Sequence, residues 1–155
     1  MRTIVKWQDI QYFKASDPWG DTSKVKPDLI YLIDEFRHFV GKPFILHNAY
    51  EMSGHSKGSQ HYLGNALDGH FVGMHWLDQY LMALKFGKFN GIGVYPEWNN
   101  PGLHLDIRDI IDNQKVTWIE YKGEYNYNVN SILIIDVITE MNAKIKKTSK
   151  KEKGS

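Results

Sequence analysis

The 155-residue chain contains no cysteine. It can therefore hold neither a disulfide framework nor a thiolate metal site, and its redox compartment cannot be read. It also lacks any apolar run of the roughly 20 residues that a membrane-crossing helix needs. The first residues, Met1 to Trp7, carry no apolar signal-peptide core. These absences predict a chain with no membrane span, made in the cytoplasm and reaching any target outside the cell by a separate route. Charge of one sign is missing too: 19 Lys and Arg stand against 18 Asp and Glu, for a net +1, and no specific nucleic-acid partner is expected. What is present is a globular composition, 42% hydrophobic and 14% aromatic, in a length that suits one domain with a real core.

The charge is unevenly placed. From Lys144 onward six lysines face one glutamate, so this segment carries +5 and the rest of the chain −4. We read residues 1–143 as a single domain and 144–155 as a disordered lysine-rich tail. The tail serves as a solubilising terminus, or makes electrostatic contact with anionic polymers such as nucleic acid.

Within the domain, Pro27 suits the first turn of a helix, and Leu29, Ile30, Leu32, Ile33, Phe36 and Val40 follow at helical spacing. Strands are predicted at 44–49, 66–72, 91–95 and 103–107, with 117–121 as a further candidate. A second helix is predicted over 74–86, with His75 as a surface residue at its start. A third follows an Asn130 or Ser131 cap, and Tyr125 to Asn130 reads as a polar loop.

The residues that carry chemistry cluster in two stretches. Ser59-Gln60-His61-Tyr62-Leu63-Gly64-Asn65-Ala66-Leu67-Asp68 sets a histidine and a carboxylate seven positions apart, and Gly102-Leu103-His104-Leu105-Asp106 supplies another of each. Two imidazoles and one carboxylate suit a zinc ion with its fourth position open to water. On a straight strand residues seven apart face opposite ways, and Gly64-Asn65 is a poor helix interior but a good turn. His61 is therefore expected on an irregular segment, with a turn at Gly64 and Asp68 on the strand that follows. His104 and Asp106, two apart on a strand, share a face.

The motif Ser59-x-His61-x-x-Gly64-x-Ala66-x-Asp68, followed by Gly91-Ile92-Gly93-Val94-Tyr95-Pro96 and His104-Leu105-Asp106, resembles the zinc D-alanyl-D-alanine carboxypeptidase family. That family includes L-alanyl-D-glutamate endolysins of phages, and hedgehog signalling domains share its fold. The likeness covers roughly residues 7–110. It implies an α+β domain with a small, mainly antiparallel sheet, helices packed on one side and a zinc groove on the other. It implies zinc on His61, Asp68 and His104, a peptidoglycan stem-peptide substrate, and a proton-transferring carboxylate at Glu97 or Asp106. Asp106 is alternatively an orienter of a ligand imidazole. Substrate contacts are implied at Tyr50, Glu51 and Ser59. Glu51 stands where the family carries arginine, and an acid cannot bind a carboxylate as arginine does. His47 and His55 are read as loop or ligand-supporting residues, and His70 as a half-exposed histidine on the Asp68 face. Three functions follow: a peptidase, a metal-binding module without catalysis, and a cell-wall-binding particle component.

Overall fold

Pro27 opens the first helix of the computed structural model, which describes residues 1–154. Proline is tolerated there because its missing N–H would have had no helical partner. This helix, α1 (Pro27–Val40), buries Leu29, Ile30, Ile33 and Phe36 on one side. It is followed by β1 (Phe44–Asn48), β2 (Ala66–Phe71), α2 (Trp76–Phe86), β3 (Gly91–Tyr95) and β4 (Gly102–Asp106). Then come β5 (Val116–Tyr121), β6 (Glu124–Tyr127) and α3 (Ser131–Lys153). The second helix starts two residues later than its apolar pattern suggested. His75 adopts an extended conformation and its Nδ1 accepts the Leu77 N–H at 3.2 Å, which makes it the N-cap.

The architecture is α+β, with three helices and one six-stranded sheet in the order β1-β2-β4-β3-β5-β6. The sheet is mixed. Four pairings are antiparallel, as expected, but β3 and β5 run parallel. The connection explains this. β4 has β2 on one edge and β3 on the other, so β5 cannot pair with it and adds at the nearer open edge, beyond β3. The chain leaves β4 at Asp106, beside Gly91, and re-enters the sheet at Val116, also beside Gly91. A connection that stays at one end of the sheet sets β5 antiparallel to β4 and so parallel to β3.

β6 falls where the sequence read a loop. Lys122 (φ 53°) and Gly123 (φ 76°) form a tight left-handed turn that folds it back on β5. Tyr125 and Tyr127 alternate with Glu124 and Asn126, a strand signal only four residues long, and both tyrosines are exposed. The lysine-rich segment also differs from the expected disordered tail, because α3 runs on through Lys153. Asn130 caps this helix, its Oδ1 accepting the Leu133 N–H at 3.0 Å. Val137 is its only buried residue. Once packing has nucleated the helix, each further residue adds a hydrogen bond, and lysine is a good helix former.

Strand alternation divides the sheet into two unlike faces. Leu46, Leu67, Phe71, Ile92, Val94, Leu103, Leu105 and Ile119 belong to one buried cluster with residues of all three helices. Phe36 of α1 meets Phe71 edge-on, with ring centroids 5.2 Å apart. The alternate positions carry the polar residues. One transverse row crosses all six strands: Asn48, Asp68, His104, Gly93, Trp118 and Tyr127. No helix is long and apolar enough to cross a membrane among the described residues.

Gly64 ties this face to the chain that precedes it. It sits at φ 68°, and a Cβ there would collide with the Lys24 carbonyl. Gly64→Ala is therefore expected to destabilise the fold by about 1–3 kcal/mol, read as a lower denaturation midpoint in urea. An unchanged midpoint would show that the turn is not constrained in this way.

Candidate metal centre

Three elements deliver the three ligand candidates. His61 lies on a 3-10 turn, Gln60–Leu63, whose preceding residue Ser59 accepts the His61 N–H on its Oγ at 3.3 Å. Gly64 reverses the chain into β2, which carries Asp68. His104 lies directly opposite Asp68 in the antiparallel β2–β4 pair, so the two side chains rise from the same face. The donor atoms converge. His104 Nδ1 is 3.0 Å from Asp68 Oδ1, His61 Nε2 is 3.2 Å from that oxygen, and the two nitrogens are 3.1 Å apart. Ligands about 2.0–2.1 Å from a tetrahedral ion stand about 3.3–3.4 Å from one another. A triangle of two nitrogens and one carboxylate oxygen with edges this close to that value fits a zinc-type ion. His55, His61 and Asp68 likewise offer donor atoms within 4.8 Å of one another.

Each imidazole is fixed by its other nitrogen. His61 Nδ1 donates to the Ala49 carbonyl at 2.6 Å, which turns Nε2 towards the triangle. His104 Nε2 donates to Asp106 Oδ2 at 2.9 Å and turns Nδ1 inward. Asp106 is completely buried and is itself held by Arg108, through Nε at 2.9 Å and the backbone N–H at 3.1 Å. Such outer partners set the tautomer and raise ligand basicity. The neighbouring strand leaves room for them. A Cβ on Gly91 would strike the Asp106 carboxylate, and one on Gly93 would strike the Trp118 ring, which packs 5.1 Å from His104.

The electrostatics follow from this arrangement. Burial works to raise the Asp68 pKa, but hydrogen bonds from His104 and His61 outweigh it and hold the carboxyl well below its usual range. Burial works to lower the His104 pKa, but Asp106 and Asp68 together push it up to about 9. Asp106 is lowered to about 2, with burial opposed by its bonds to His104 and Arg108.

The triangle forms part of the wall of a cavity of about 480 Å³. Of the anticipated substrate contacts, Ser59 lines this cavity, whereas Tyr50 packs against the core and Glu51 stands behind His55. The two anticipated bases are both engaged elsewhere. Asp106 is occupied by His104 and Arg108, as described. Glu97 is turned away by its loop; it accepts the Lys122 backbone N–H at 2.7 Å and lies 3.7 Å from Lys144 Nζ. His70 shares the Asp68 face and bonds His47, Nδ1 to Nε2 at 2.7 Å. Sequence reasoning missed Arg108, Trp118 and the tyrosines Tyr95, Tyr125 and Tyr127, all on the cavity wall. Arg108 had a usable signal, its place two residues beyond Asp106. Tyr95 had one too, its place in the Gly91–Pro96 motif, whereas Trp118, Tyr125 and Tyr127 reach the wall only through the parallel β3–β5 pairing and the β5–β6 hairpin. Comparison with protein-family models, curated proteins and solved structures finds no match.

His104 makes the stability of the metal-free protein depend on pH. Its pKa is raised from 6.5 to about 9 on folding, so its contribution is complete below about pH 6.5 and is lost as pH rises through about 9. The thermal midpoint of metal-free protein should fall between about pH 6.5 and 10, and His104→Gln should flatten the profile. A flat wild-type profile would contradict this account.

Proposed function

We propose that the chain is a zinc peptidase acting on peptidoglycan stem peptides, as a D-alanyl-D-alanine carboxypeptidase or an L-alanyl-D-glutamate endopeptidase. The observation that carries the reading is the convergence of His61, Asp68 and His104 within 3.2 Å of one another on the wall of a cavity. The ten-residue motif around His61 and Asp68, with its resemblance to that family, supports the substrate class. Two imidazoles and a carboxylate suit zinc better than magnesium or calcium, which take oxygen ligands.

A zinc ion held there would polarise the scissile carbonyl and acidify a water to a pKa of about 7. The chain's own residues supply orientation. Asp106 keeps His104 in the tautomer that presents Nδ1, and Arg108 keeps Asp106 charged. Ala49 does the same for His61. The cavity wall carries Lys57 and Arg108, and among the described residues its only carboxylate is Asp68. That balance suits a peptide substrate bearing carboxylates. The chain is proposed to be made in the cytoplasm and to reach the wall by a separate route. The lysines at the end of α3 are proposed to contact anionic wall polymers.

A second reading, a metal-binding module of the same kind without catalysis, draws on one observation: neither Glu97 nor Asp106 is free to take a proton from water. Mass spectrometry of purified muropeptides, incubated with and without chelator, decides between the two. The peptidase reading expects chelator-sensitive cleavage, whereas intact muropeptides beside metal-loaded protein favour the module. Two variants follow. Glu97→Gln should hold zinc and cleave at the wild-type rate. Asp106→Asn should bind zinc roughly 10- to 100-fold more weakly and recover cleavage at high zinc. A dead Glu97→Gln that retains its metal would overturn this placement of the site.

A further inference from the structure

His55 has no part in the three-ligand centre, yet it is held against it from several sides. Its ring stacks on that of His61, with centroids 4.1 Å apart and planes 7° from parallel. A ring nitrogen lies within 4.8 Å of donor atoms of both His61 and Asp68. Its backbone is clamped by one side chain: the Tyr62 hydroxyl donates to the His55 carbonyl at 2.6 Å and accepts the His55 N–H at 2.9 Å. Its Nε2 is hydrogen-bonded to the Glu51 carboxylate. His104 is fixed in the same manner, with Nε2 on Asp106 and Nδ1 facing the other donors. A carboxylate on one imidazole nitrogen places the proton there and leaves the lone pair on the other, the usual arrangement for a metal-binding histidine.

Resting on the metal reading above, we propose that His55 is a fourth, displaceable ligand of the same ion, bound through Nδ1 and positioned by Glu51. A separation of up to 4.8 Å exceeds the spacing of ligands around zinc, about 3.3–3.4 Å, by about 1.5 Å. Closing that gap requires the ring to turn out of its parallel stack on His61, a side-chain movement that the Tyr62 clamp on the backbone does not oppose. With His55 bound, the ion has four protein ligands and a closed shell; with His55 swung away, one position opens. His55 lines the cavity, so a substrate carbonyl arriving there competes with it for that position. Glu51 thereby gains a role that its charge permits, as the support of a ligand rather than a receptor for a substrate carboxylate.

The test is X-ray absorption at the zinc edge together with competitive zinc titration, on the full chain and on His55→Ala, Glu51→Gln and His104→Ala. The expected result is three imidazoles around zinc in the wild type and two in His55→Ala. Zinc affinity should fall roughly 10- to 100-fold in His55→Ala and by a smaller factor in Glu51→Gln. Two imidazoles in the wild type, with unchanged affinity in His55→Ala, would overturn the assignment. If His104→Ala alone loses zinc, the three-ligand centre stands and His55 is removed from it. A wild type that binds no zinc removes both.

Discussion

A carboxylate taken out of water must be given partners, and the whole functional face of the sheet is arranged around that requirement at Asp68. Its Oδ1 lies between His61 Nε2 and His104 Nδ1, and His104 passes the demand on to Asp106, which passes it to Arg108. Charges of alternating sign thus run from Asp68 through buried Asp106 and back to the cavity wall at Arg108. Truncating one member of such a buried chain typically costs about 3–5 kcal/mol, because the remaining charge loses its partner. The antiparallel register that sets Asp68 opposite His104 and the left-handed turn at Gly64 that returns His61 to them are the two backbone features on which the centre depends.

The sheet separates stability from chemistry by strand alternation. Apolar residues pointing towards the helices hold the core, while the opposite face carries one row from Asn48 to Tyr127 on which the ligands lie. Gly93 leaves a gap in that row, and the Trp118 ring fills it beside His104. A wall of aromatic rings therefore flanks a centre of charged groups. Its two sides come from parts of the chain that local sequence does not connect.

That difference decides how much could be read beforehand. The helix at 27–40, the turn at Gly64 and the shared face of His104 and Asp106 follow from local spacing, and the structure has them. The parallel β3–β5 pairing and the β5–β6 hairpin follow from which sheet edges were still free, a non-local property. Tyr125 and Tyr127 alternate with polar residues over only four positions, too short a run to separate a strand from a polar loop. The resemblance implies Glu97 through its place on the loop before β4, but that loop turns it towards Lys122. The lysine segment has a composition that suits disorder, yet it continues a helix already nucleated by the packing of Val137 and its neighbours.

The central claim is that His61, Asp68 and His104 together hold one zinc ion. Calorimetric titration of metal-free protein with zinc tests it most directly, with Asp68→Asn and His104→Ala measured alongside. The account predicts a single strong site per chain in the wild type and loss of that binding heat in both variants. No strong site in the wild type, or a site that survives both substitutions, would contradict it.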